Sequence, residues 1–312
     1  MTALDAKVAV LLATYNGATA LQAQLDSYLT QTHLPALLIV SDDGSTDTTV
    51  DVIREFAWAH PELPVEFLKG PRMGAAQNFL SLLRHTPSWI DIVALSDQDD
   101  VWLPDKIRRG VRALVQDSAP QDCLLYCGRS WECDASLDNR HLSRGLKRPA
   151  TFRHALVQNV AGGNTMMINR AALNLVQEAS FEARKIVVHD WWLYQILTGV
   201  GGRVIFDDAP LLLYRQHGGN LIGANRGLEA KRKRLRMLVS GRFRRWNTMN
   251  IKALSASAAR LTVENRQLLN TFSNERNKSL LRRLFMVWKT RIYRQGLQGN
   301  LSLYLAALLR RI

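Results

Sequence analysis

Short, mostly apolar runs alternate with amphipathic segments along the first hundred positions of the chain. Runs of this kind, each followed by polar residues, are typical of buried parallel strands, and they predict strands at 7–13, 37–40, 65–68 and 90–95. Apolar residues spaced three and four apart predict helices between the strands, at 21–29, 50–56 and 75–83. This alternation predicts an α/β fold with a doubly wound, mostly parallel sheet flanked by helices.

The pattern changes in the second half of the chain. Further strands are predicted at 124–127, 165–168 and 204–206, with an irregular basic stretch at 134–153 and a helix that opens at His189. Beyond Asn225 the spacing of apolar residues predicts only helices, at 228–239, 251–269 and 279–292. We therefore predict a main domain over residues 1–225 and a helical extension over residues 226–312.

The charge of the chain is concentrated in that extension. The 312 residues carry a formal net charge of +14, and 47% are hydrophobic, which excludes a disordered or fibrous protein. Residues 226–312 contain 21 of the 41 Lys and Arg residues but only 3 of the 27 Asp and Glu residues. Basic segments bind polyanions such as nucleic acid or an anionic membrane, although a solvated helical face has the same composition.

Cellular location is predicted from absent signals and from the cysteines. No run approaches the length of about 18 apolar residues that a membrane-spanning helix needs. Asp5 and Lys7 interrupt the start of the chain, so no secretory signal is predicted. The odd count of Cys123, Cys127 and Cys133 then predicts reduced thiols in the cytoplasm, packed in the interior rather than bound to metal.

Polar residues follow three of the predicted strands at the points where the strands end. The clusters are Thr14–Gly17, Asp42–Asp47 and Asp97–Asp100. In doubly wound sheets the ligand crevice lies outside the carboxyl ends of the strands, so the three clusters are expected to converge on one site. Helix capping by the second cluster and turn formation by the third are the alternatives.

Asp97 and Asp99 form the part of these clusters that suits a metal ion. Residues two apart on extended backbone point the same way, so both carboxylates can face one ligand. Mg²⁺ in sites for phosphorylated substrates takes one or two protein carboxylates, and the phosphates supply other ligands. An isolated Asp-x-Asp triplet is a weak signal, but its position after a fourth apolar strand strengthens it.

Taken together, the motifs resemble a known enzyme family. The resemblance to the family 2 glycosyltransferases of the GT-A fold rests on Ala13–Gly17, Asp42–Asp47 and Ser96–Trp102 followed by Pro104 and Lys106. The later segments His189–Trp192 and Tyr214–Asn220 resemble the bacterial rhamnosyltransferase branch of that family. The resemblance covers roughly residues 5–225 and leaves out the basic extension.

The resemblance implies roles for individual residues. Thr14, Tyr15 and Asp43 match the nucleotide-base pocket, where the Asp43 carboxylate accepts from the pyrimidine, and Asp97 also matches the nucleotide site. Asp97 and Asp99 match the triplet that binds Mg²⁺ or Mn²⁺, with Asp99 the expected direct ligand.

Three further positions concern the reacting groups. Asp190 matches the catalytic base, and its place at a predicted helix start favours the ionised form, although helix capping is an alternative role. His217 matches a late histidine ligand of the metal or the diphosphate, with a turn as the alternative. His189 precedes the base, where it can tune Asp190 or act as a bystander.

Four side chains are candidates for the sugar or acceptor site. They are Trp102, Asn164, Trp191 and Trp192. The three indole rings can wall off the sugar from water, and core packing is the alternative for each of them.

The resemblance implies an inverting, metal-dependent transfer of a sugar from a nucleoside-diphosphate donor to a hydroxyl of a saccharide or lipid-linked saccharide. The expected donor is dTDP-rhamnose, with a UDP-hexose as the alternative. The basic extension is then expected to hold the enzyme on the anionic cytoplasmic face of the cell membrane, or to serve as an oligomerisation arm.

Two other classes compete with this interpretation. A sugar-nucleotide pyrophosphorylase requires a basic glycine-rich loop after the first strand, which Thr14–Gly17 does not supply. A non-enzymatic polyanion-binding protein accounts for the basic extension alone, but no nucleic-acid recognition signature occurs there, so nucleic acid is not expected as a partner.

Overall fold

The computed structural model describes residues 5–116, 119, 121–216 and 240–312. Within these residues, nine strands form one sheet: β1 (Val8–Thr14), β2 (Leu37–Asp42), β3 (Val65–Lys69), β4 (Ile92–Ser96), β5 (Val101–Trp102), β6 (Leu124–Cys133), β7 (His141–Leu142), β8 (Met167–Asn169) and β9 (Arg203–Arg215). The described α-helices are α1 (Ala18–Leu29), α2 (Thr49–Ala59), α3 (Ala75–His85), α4 (Lys106–Val115), α5 (Phe152–Ala155), α6 (Arg170–Glu182), α7 (His189–Gly199), α8 (Arg242–Ala256), α9 (Val263–Glu275), α10 (Leu280–Thr290) and α11 (Gly296–Leu308).

The first half of the sheet is parallel, in the order β3-β2-β1-β4. Successive residues of β1 point to opposite faces of the sheet: Val8 and Val10 belong to one hydrophobic cluster, and Ala9 and Leu11 belong to the other. Both faces are buried by helices, which is why the strand is an uninterrupted apolar run. The predicted doubly wound, mostly parallel sheet is confirmed.

The second half of the sheet mixes directions. β8 lies antiparallel between β4 and β6, and β9 runs parallel to β6 and antiparallel to β5. The strand predicted at 165–168 begins later than expected, because residues Gly163–Thr165 form a 3₁₀ turn. The strand predicted at 204–206 continues to residue 215, since an irregularity in its pairing with β6 accommodates the polar residues in its middle.

The described helices of the C-terminal extension share the core of the main domain. Leu254 of α8, Phe272 of α9 and Ala307 of α11 lie in the same buried cluster as Trp192 of α7. The hydrophobic core therefore runs without a break from the main domain into the extension. The division of the chain at residue 225 stays a prediction. The helix predicted at 228–239 lies outside the described residues.

The single helix predicted at 251–269 is wrong, because the chain breaks between α8 and α9. A 3₁₀ turn at Ala258–Arg260 follows α8. Thr262 then caps α9, since its hydroxyl accepts a hydrogen bond from the backbone N–H of Asn265 at 3.2 Å. Such local hydrogen bonds outweigh the continuing apolar period.

Polar contacts also fasten the extension to the main domain. The guanidinium of Arg260 bonds Glu182 of α6 at 2.7 and 2.9 Å and Glu178 at 2.7 Å. Ser257 donates to the other oxygen of Glu182. None of the helices in the described part of the chain is both long and apolar enough to cross a bilayer.

Candidate active site

The three polar clusters meet at the carboxyl ends of the parallel strands. Gln98, in the loop after β4, accepts a hydrogen bond from the Tyr15 N–H at 2.8 Å and donates to the Tyr15 carbonyl at 3.0 Å. The Asn16 N–H donates to the Ser45 hydroxyl at 2.8 Å, and the Thr46 N–H donates to the Asn16 side chain at 2.8 Å. The predicted convergence of the clusters is therefore confirmed.

The loop after β1 is held closely against Gln98. A Cβ atom placed on Gly17 would lie 2.3 Å from the Gln98 side chain, so only glycine allows this approach. Asn16 beside it has φ of 48°, a conformation that asparagine adopts more readily than most residues. The sequence analysis singled out Asp97 and Asp99 but missed Gln98 between them. The position of Gln98 between the two aspartates was the sequence feature that could have marked it as a candidate site residue.

Asp42 is an internal organiser of the site. Its carboxylate is buried and accepts from the Thr14 hydroxyl at 2.9 Å and from the backbone N–H groups of Gly44 and Ser45 at 3.1 and 2.8 Å. The carboxylate therefore fixes the loop after β2 against the end of β1. Gly44 itself has φ of 97°, which favours glycine.

Asp43 faces the loop between β3 and α3. Its two carboxylate oxygens accept from the backbone N–H groups of Arg72 at 2.6 Å and Gly74 at 2.7 Å. Arg72 has φ of 57°, an uncommon conformation for a residue with a long side chain. Strained backbone of this kind clusters at functional sites, so Arg72 joins the candidates that the sequence analysis missed.

Asp97 and Asp99 are both half-buried at the end of β4. Burial raises the pKa of the Asp97 carboxyl to about 7, and the negative charges of Asp99 and Asp190 raise it further, while Lys106 opposes the shift. The electrostatic effect of both carboxylates on Asp97 places the three acidic groups in one neighbourhood. The resemblance assigned them to metal and base roles, and the structure brings them together.

The donor set fits a hard divalent cation. Asp97 and Asp99 offer carboxylate oxygens that repel each other in the absence of a cation. Among the described residues no group of three or more His, Cys, Asp or Glu side chains could hold a metal ion alone. Two carboxylates match a site in which substrate phosphates complete the coordination. His217, the third expected ligand, lies outside the described residues.

A buried polar network lies beneath the two acidic ligands. Asp100, fully buried, accepts from the Asn164 side-chain amide at 2.6 Å and from the Arg215 N–H at 3.3 Å. The Lys106 ammonium donates to the Asn164 carbonyl at 2.6 Å and lies 3.0 Å from the centre of the Trp102 ring. Asn164 is thus a support of the triplet loop, and its expected acceptor-side role stays a prediction.

Arg215 ties the end of β9 to the same loop. Its Nε donates to the Asp99 backbone carbonyl at 3.0 Å, and its guanidinium also bonds the carbonyl of Ala135. The sequence analysis named Lys106 and Arg215 only as parts of motifs. No pattern in the sequence predicts their contacts with Asp99 and Asn164, since these join positions 58 or more residues apart.

Asp190 stands in the first turn of α7 and is half-buried. Burial raises the pKa of its carboxyl to about 6, against hydrogen bonds from the backbone of Trp191, the side chain of Asn159 and the backbone of Gly163. The sequence analysis expected the helix start to favour the ionised form, and burial outweighs that effect. A carboxylate with a pKa near 6 suits a general base at neutral pH.

His189 is removed from solvent. Its ring stacks on Phe79 with centroids 3.7 Å apart, and burial lowers its pKa to about 3. A Cβ atom placed on Gly163 would lie 2.3 Å from the His189 Nε2, so the backbone passes directly over the imidazole. The neutral ring therefore packs under the turn that donates to Asp190 and is poorly placed to exchange protons.

The tryptophans turn out to be core residues. Trp102 and Trp192 are only 2% and 0% exposed, and Trp102 makes an edge contact with Tyr28 at 4.9 Å between ring centroids. Trp191, 5% exposed, donates its indole N–H to the Ala155 carbonyl at 2.7 Å. The expectation that these rings wall off a sugar is not met, because the packing of the core covers them.

A solved structure shares the fold of this chain. The structure of S. aureus TarS 1-349 in complex with UDP-GlcNAc covers 97% of this chain and 90% of its own, with a TM-score of 0.54 and 13% identity. At that identity the likeness establishes the fold alone, and it confirms the GT-A class predicted from the motifs.

The sequence comparisons define the family. The profile of Glycosyl transferase family 2 matches residues 9–175, and the chain belongs to this family. It is 30% identical over 257 residues to "dTDP-rhamnosyl transferase RfbG" of Shigella flexneri, covering 78% of this chain and 84% of that protein. The "Putative teichuronic acid biosynthesis glycosyltransferase TuaG" of Bacillus subtilis is 25% identical over 187 residues, 59% of this chain and 71% of that protein. The protein is therefore a glycosyltransferase.

Proposed function

We propose that the protein transfers rhamnose from dTDP-rhamnose to a hydroxyl of a saccharide or lipid-linked saccharide, with inversion at the anomeric carbon, in bacterial surface polysaccharide synthesis. The observation that carries the proposal is the meeting of Asp190 with the pair Asp97 and Asp99 at the carboxyl edge of the sheet. This arrangement would place a base close to the carboxylates proposed to bind the metal and the diphosphate.

The nucleotide would bind at the loops after β1 and β2. The ring of Tyr15 is 57% exposed and available to stack on a base, and Thr14 and Asp43 lie at the ends of the same strands. The similarity to a transferase named for dTDP-rhamnose supports this donor over a UDP-hexose.

The diphosphate would lie against the end of β4. Mg²⁺ or Mn²⁺ held by Asp99 and Asp97 would offset the charge that develops on the departing diphosphate. The buried network of Asp100, Lys106 and Asn164 holds the loop that carries both carboxylates, so the residues that face the diphosphate are positioned before the donor arrives.

Asp190 would act on the acceptor. Its carboxylate removes the proton of the attacking hydroxyl while the hydroxyl oxygen bonds to the anomeric carbon and the bond to the diphosphate oxygen breaks. Attack from the side opposite the leaving group inverts that carbon, as in inverting glycosidases, with the acceptor hydroxyl in place of water. Hydrogen bonds from Asn159 and the Gly163 backbone orient the carboxylate for this step.

The acceptor is proposed to be a growing saccharide, free or linked to lipid. Both named relatives carry names of bacterial glycosyltransferases, and the name of one refers to a cell-surface polymer, teichuronic acid. A lipid-linked acceptor would require the enzyme to work at the inner face of the cell membrane, where the basic extension would be attracted by anionic lipid.

Calorimetric titration tests the donor assignment. The protein is titrated with dTDP and with UDP, each with and without Mg²⁺. We expect dTDP to bind more tightly than UDP and Mg²⁺ to strengthen both. A preference for UDP would contradict the donor, and no binding of either nucleotide would contradict the proposed function.

A further inference from the structure

The last two helices expose apolar side chains at helical spacing. On α10, Leu281, Phe285 and Trp288 share one face and are 78%, 55% and 68% exposed. On α11 the exposed apolar residues are Leu297, Leu301, Tyr304, Leu305 and Leu308. We call these eight residues the apolar face. Globular proteins rarely leave such a group exposed unless it binds something.

The opposite sides of both helices hold them firmly on the protein. Met286 and Val287 of α10, and Leu303 and Ala307 of α11, are buried in the main core. The guanidinium of Arg283 on α10 donates to the Ala307 carbonyl at 2.6 Å, which joins the two helices. The apolar face is therefore a fixed surface whose outward side has no partner of its own among the residues that the structure describes.

The charge around the apolar face is predominantly positive, although Glu275, just before this stretch, pairs with Arg282 at 3.9 Å. Residues 276–312 contain nine Lys and Arg residues and no Asp or Glu. Exposed cations on and beside α10 and α11 include Arg282, Lys289, Arg291 and Arg310. A second copy of the chain would bring like charges together on this surface, whereas an anionic lipid surface would complement them. Exposed Trp and Tyr among aliphatic residues also suit the boundary between headgroups and acyl chains.

A cavity of about 370 Å³ adds a more specific feature, because three arginines line it: Arg244, Arg245 and Arg311. Its remaining lining is Ser240, Gly241 and Thr248, so the cavity offers hydrogen-bond donors and no carboxylate. Guanidinium groups gathered in this way match the oxygens of a phosphate.

Hydrogen bonds place this cavity at the end of the apolar face. Arg244 donates to the Asn277 side chain at 3.1 Å, and Arg310 donates to the Asn277 carbonyl at 3.1 Å. Asn277 lies just before α10, and Arg311 lies just after α11. Leu308, the last residue of α11, is exposed and precedes Arg311 of the cavity by three residues.

We propose that the α10 and α11 pair is a membrane-docking surface, on which the apolar face enters the headgroup boundary of an anionic bilayer while the Arg244, Arg245 and Arg311 cavity holds a lipid phosphate. The surface goes beyond the sugar-transfer site and is independent of it. It adds a defined apolar contact to the general attraction expected from a basic extension.

Flotation of the full chain with vesicles tests the proposal. Vesicles of phosphatidylcholine alone are compared with vesicles that also contain phosphatidylglycerol. The double variant Phe285→Ser/Trp288→Ser should bind the anionic vesicles at least about tenfold more weakly. Arg245→Gln and Arg311→Gln should each weaken binding by about fivefold. All variants keep the basic run at 231–236, so the comparison isolates the docking surface.

Matched controls come from α2. Trp58 is 87% exposed and Arg54 lies on the same helix, so Trp58→Ser and Arg54→Gln should leave vesicle binding unchanged. All these side chains are exposed or line an open cavity, and unchanged thermal unfolding should confirm that each variant folds. Binding of dTDP with Mg²⁺ should also be unchanged, which separates this proposal from the proposed function.

The depth of insertion gives an independent readout. Lipids brominated on the acyl chain should quench part of the tryptophan fluorescence of the wild-type protein, and Trp288→Phe should remove that part. Trp58→Phe should not. The proposal would be overturned if the surface variants bound vesicles as well as the wild type does. It would also be overturned if the wild type bound neutral vesicles as well as anionic ones. The proposal would also be overturned if the wild-type protein formed a dimer and did not bind vesicles, and if the surface variants were monomeric. That result would assign the surface to a second copy of the chain.

Discussion

The carboxyl edge of the sheet and the outer surface of α10 and α11 use charge in opposite ways. At the sheet edge, burial raises the pKa values of the Asp97 and Asp190 carboxyls, and repulsion by Asp99 and Asp190 raises that of Asp97 further. On the helix pair, basic groups stay in solvent beside exposed apolar side chains. Buried charge supports chemistry on one small substrate, whereas exposed charge suits attraction to an extended surface.

This difference predicts how each region responds to substitution. A buried carboxylate has a fixed set of partners, so one change should alter one step of the reaction strongly. An exposed cation acts with many others, so each change should have a small and salt-dependent effect. Substitutions at the sheet edge should therefore have the largest effects.

Asp190→Asn should cause the largest loss. Asparagine keeps the shape of the side chain but cannot take the proton of the acceptor hydroxyl, so turnover should fall by a factor of about 100 to 10,000. Donor binding and thermal stability should stay close to wild type, because the Asn side-chain oxygen can still accept the hydrogen bond from the Trp191 N–H. Steady-state kinetics and calorimetry measure the two effects separately.

The control for this variant is Asp26→Asn, which changes an exposed carboxylate on α1 that bonds only Gln22 in the described contacts. Its turnover should equal that of the wild type. Near-normal transfer by Asp190→Asn would require another base.

Asp99→Ala should weaken nucleoside diphosphate binding in the presence of Mg²⁺ by about a hundredfold, because a carboxylate ligand is lost. Binding without Mg²⁺ should change little. The same titration applied to Asp51→Ala, an exposed carboxylate on α2, should match the wild type. Full activity of the wild-type enzyme in EDTA would show that no metal is needed.

Gln98→Ala should have an intermediate effect. It removes two hydrogen bonds that hold the Tyr15 backbone, at 2.8 and 3.0 Å, and should weaken dTDP binding by about tenfold. If Gln98 acts through the loop rather than on the reacting atoms, KM for the donor should rise while kcat changes less. An equal fall in kcat with unchanged KM would contradict that positioning role.

The pH dependence should show the Asp190 carboxyl directly. Its raised pKa of about 6 means that the carboxylate needed for proton removal is present above that pH and is lost as the pH falls through it. With Mg²⁺ and donor saturating, so that a bound cation keeps the Asp97 carboxylate ionised, activity should therefore fall about tenfold between pH 7 and pH 5. The acid limb should be absent from the residual activity of Asp190→Asn, and its persistence there would assign it to another group.

The contact between the C-terminal extension and the main domain should affect stability without affecting chemistry. Arg260→Ala removes the bonds to Glu182 and Glu178 that fasten the extension to α6 and should lower the free energy of unfolding by about 1–2 kcal/mol. Urea denaturation measures the change. A loss of turnover at a temperature where the variant is fully folded would contradict a purely structural role.

Much of the parallel half of the sheet could be predicted from the sequence, because a strand buried on both faces must be a run of apolar residues. The strands β1, β2 and β4 were predicted for that reason, whereas β3 lies at the edge of the sheet and is partly exposed. The long strand β9 was not, since Asp207, Asp208 and Pro210 interrupt its apolar pattern and only its pairing with β6 keeps it extended.

The acidic part of the site was also predictable, because polar clusters after parallel strands must meet at one edge. The hydrogen bonds that hold these clusters in place could not be predicted. The bonds from Gln98 to Tyr15 and from Lys106 to Asn164 join distant parts of the chain, and neither residue type has a local pattern that indicates such contacts. The burial of Trp102 and Trp192 is likewise decided by the packing of several elements at once.

The most direct test of the account is the stereochemistry of the product formed from dTDP-L-rhamnose, Mg²⁺ and a panel of saccharide acceptors, determined by NMR. Single displacement predicts that the new linkage has the anomeric configuration opposite to that of the donor, and that Asp190→Asn forms this product far more slowly. A product that retains the donor configuration would contradict single displacement with Asp190 as the base.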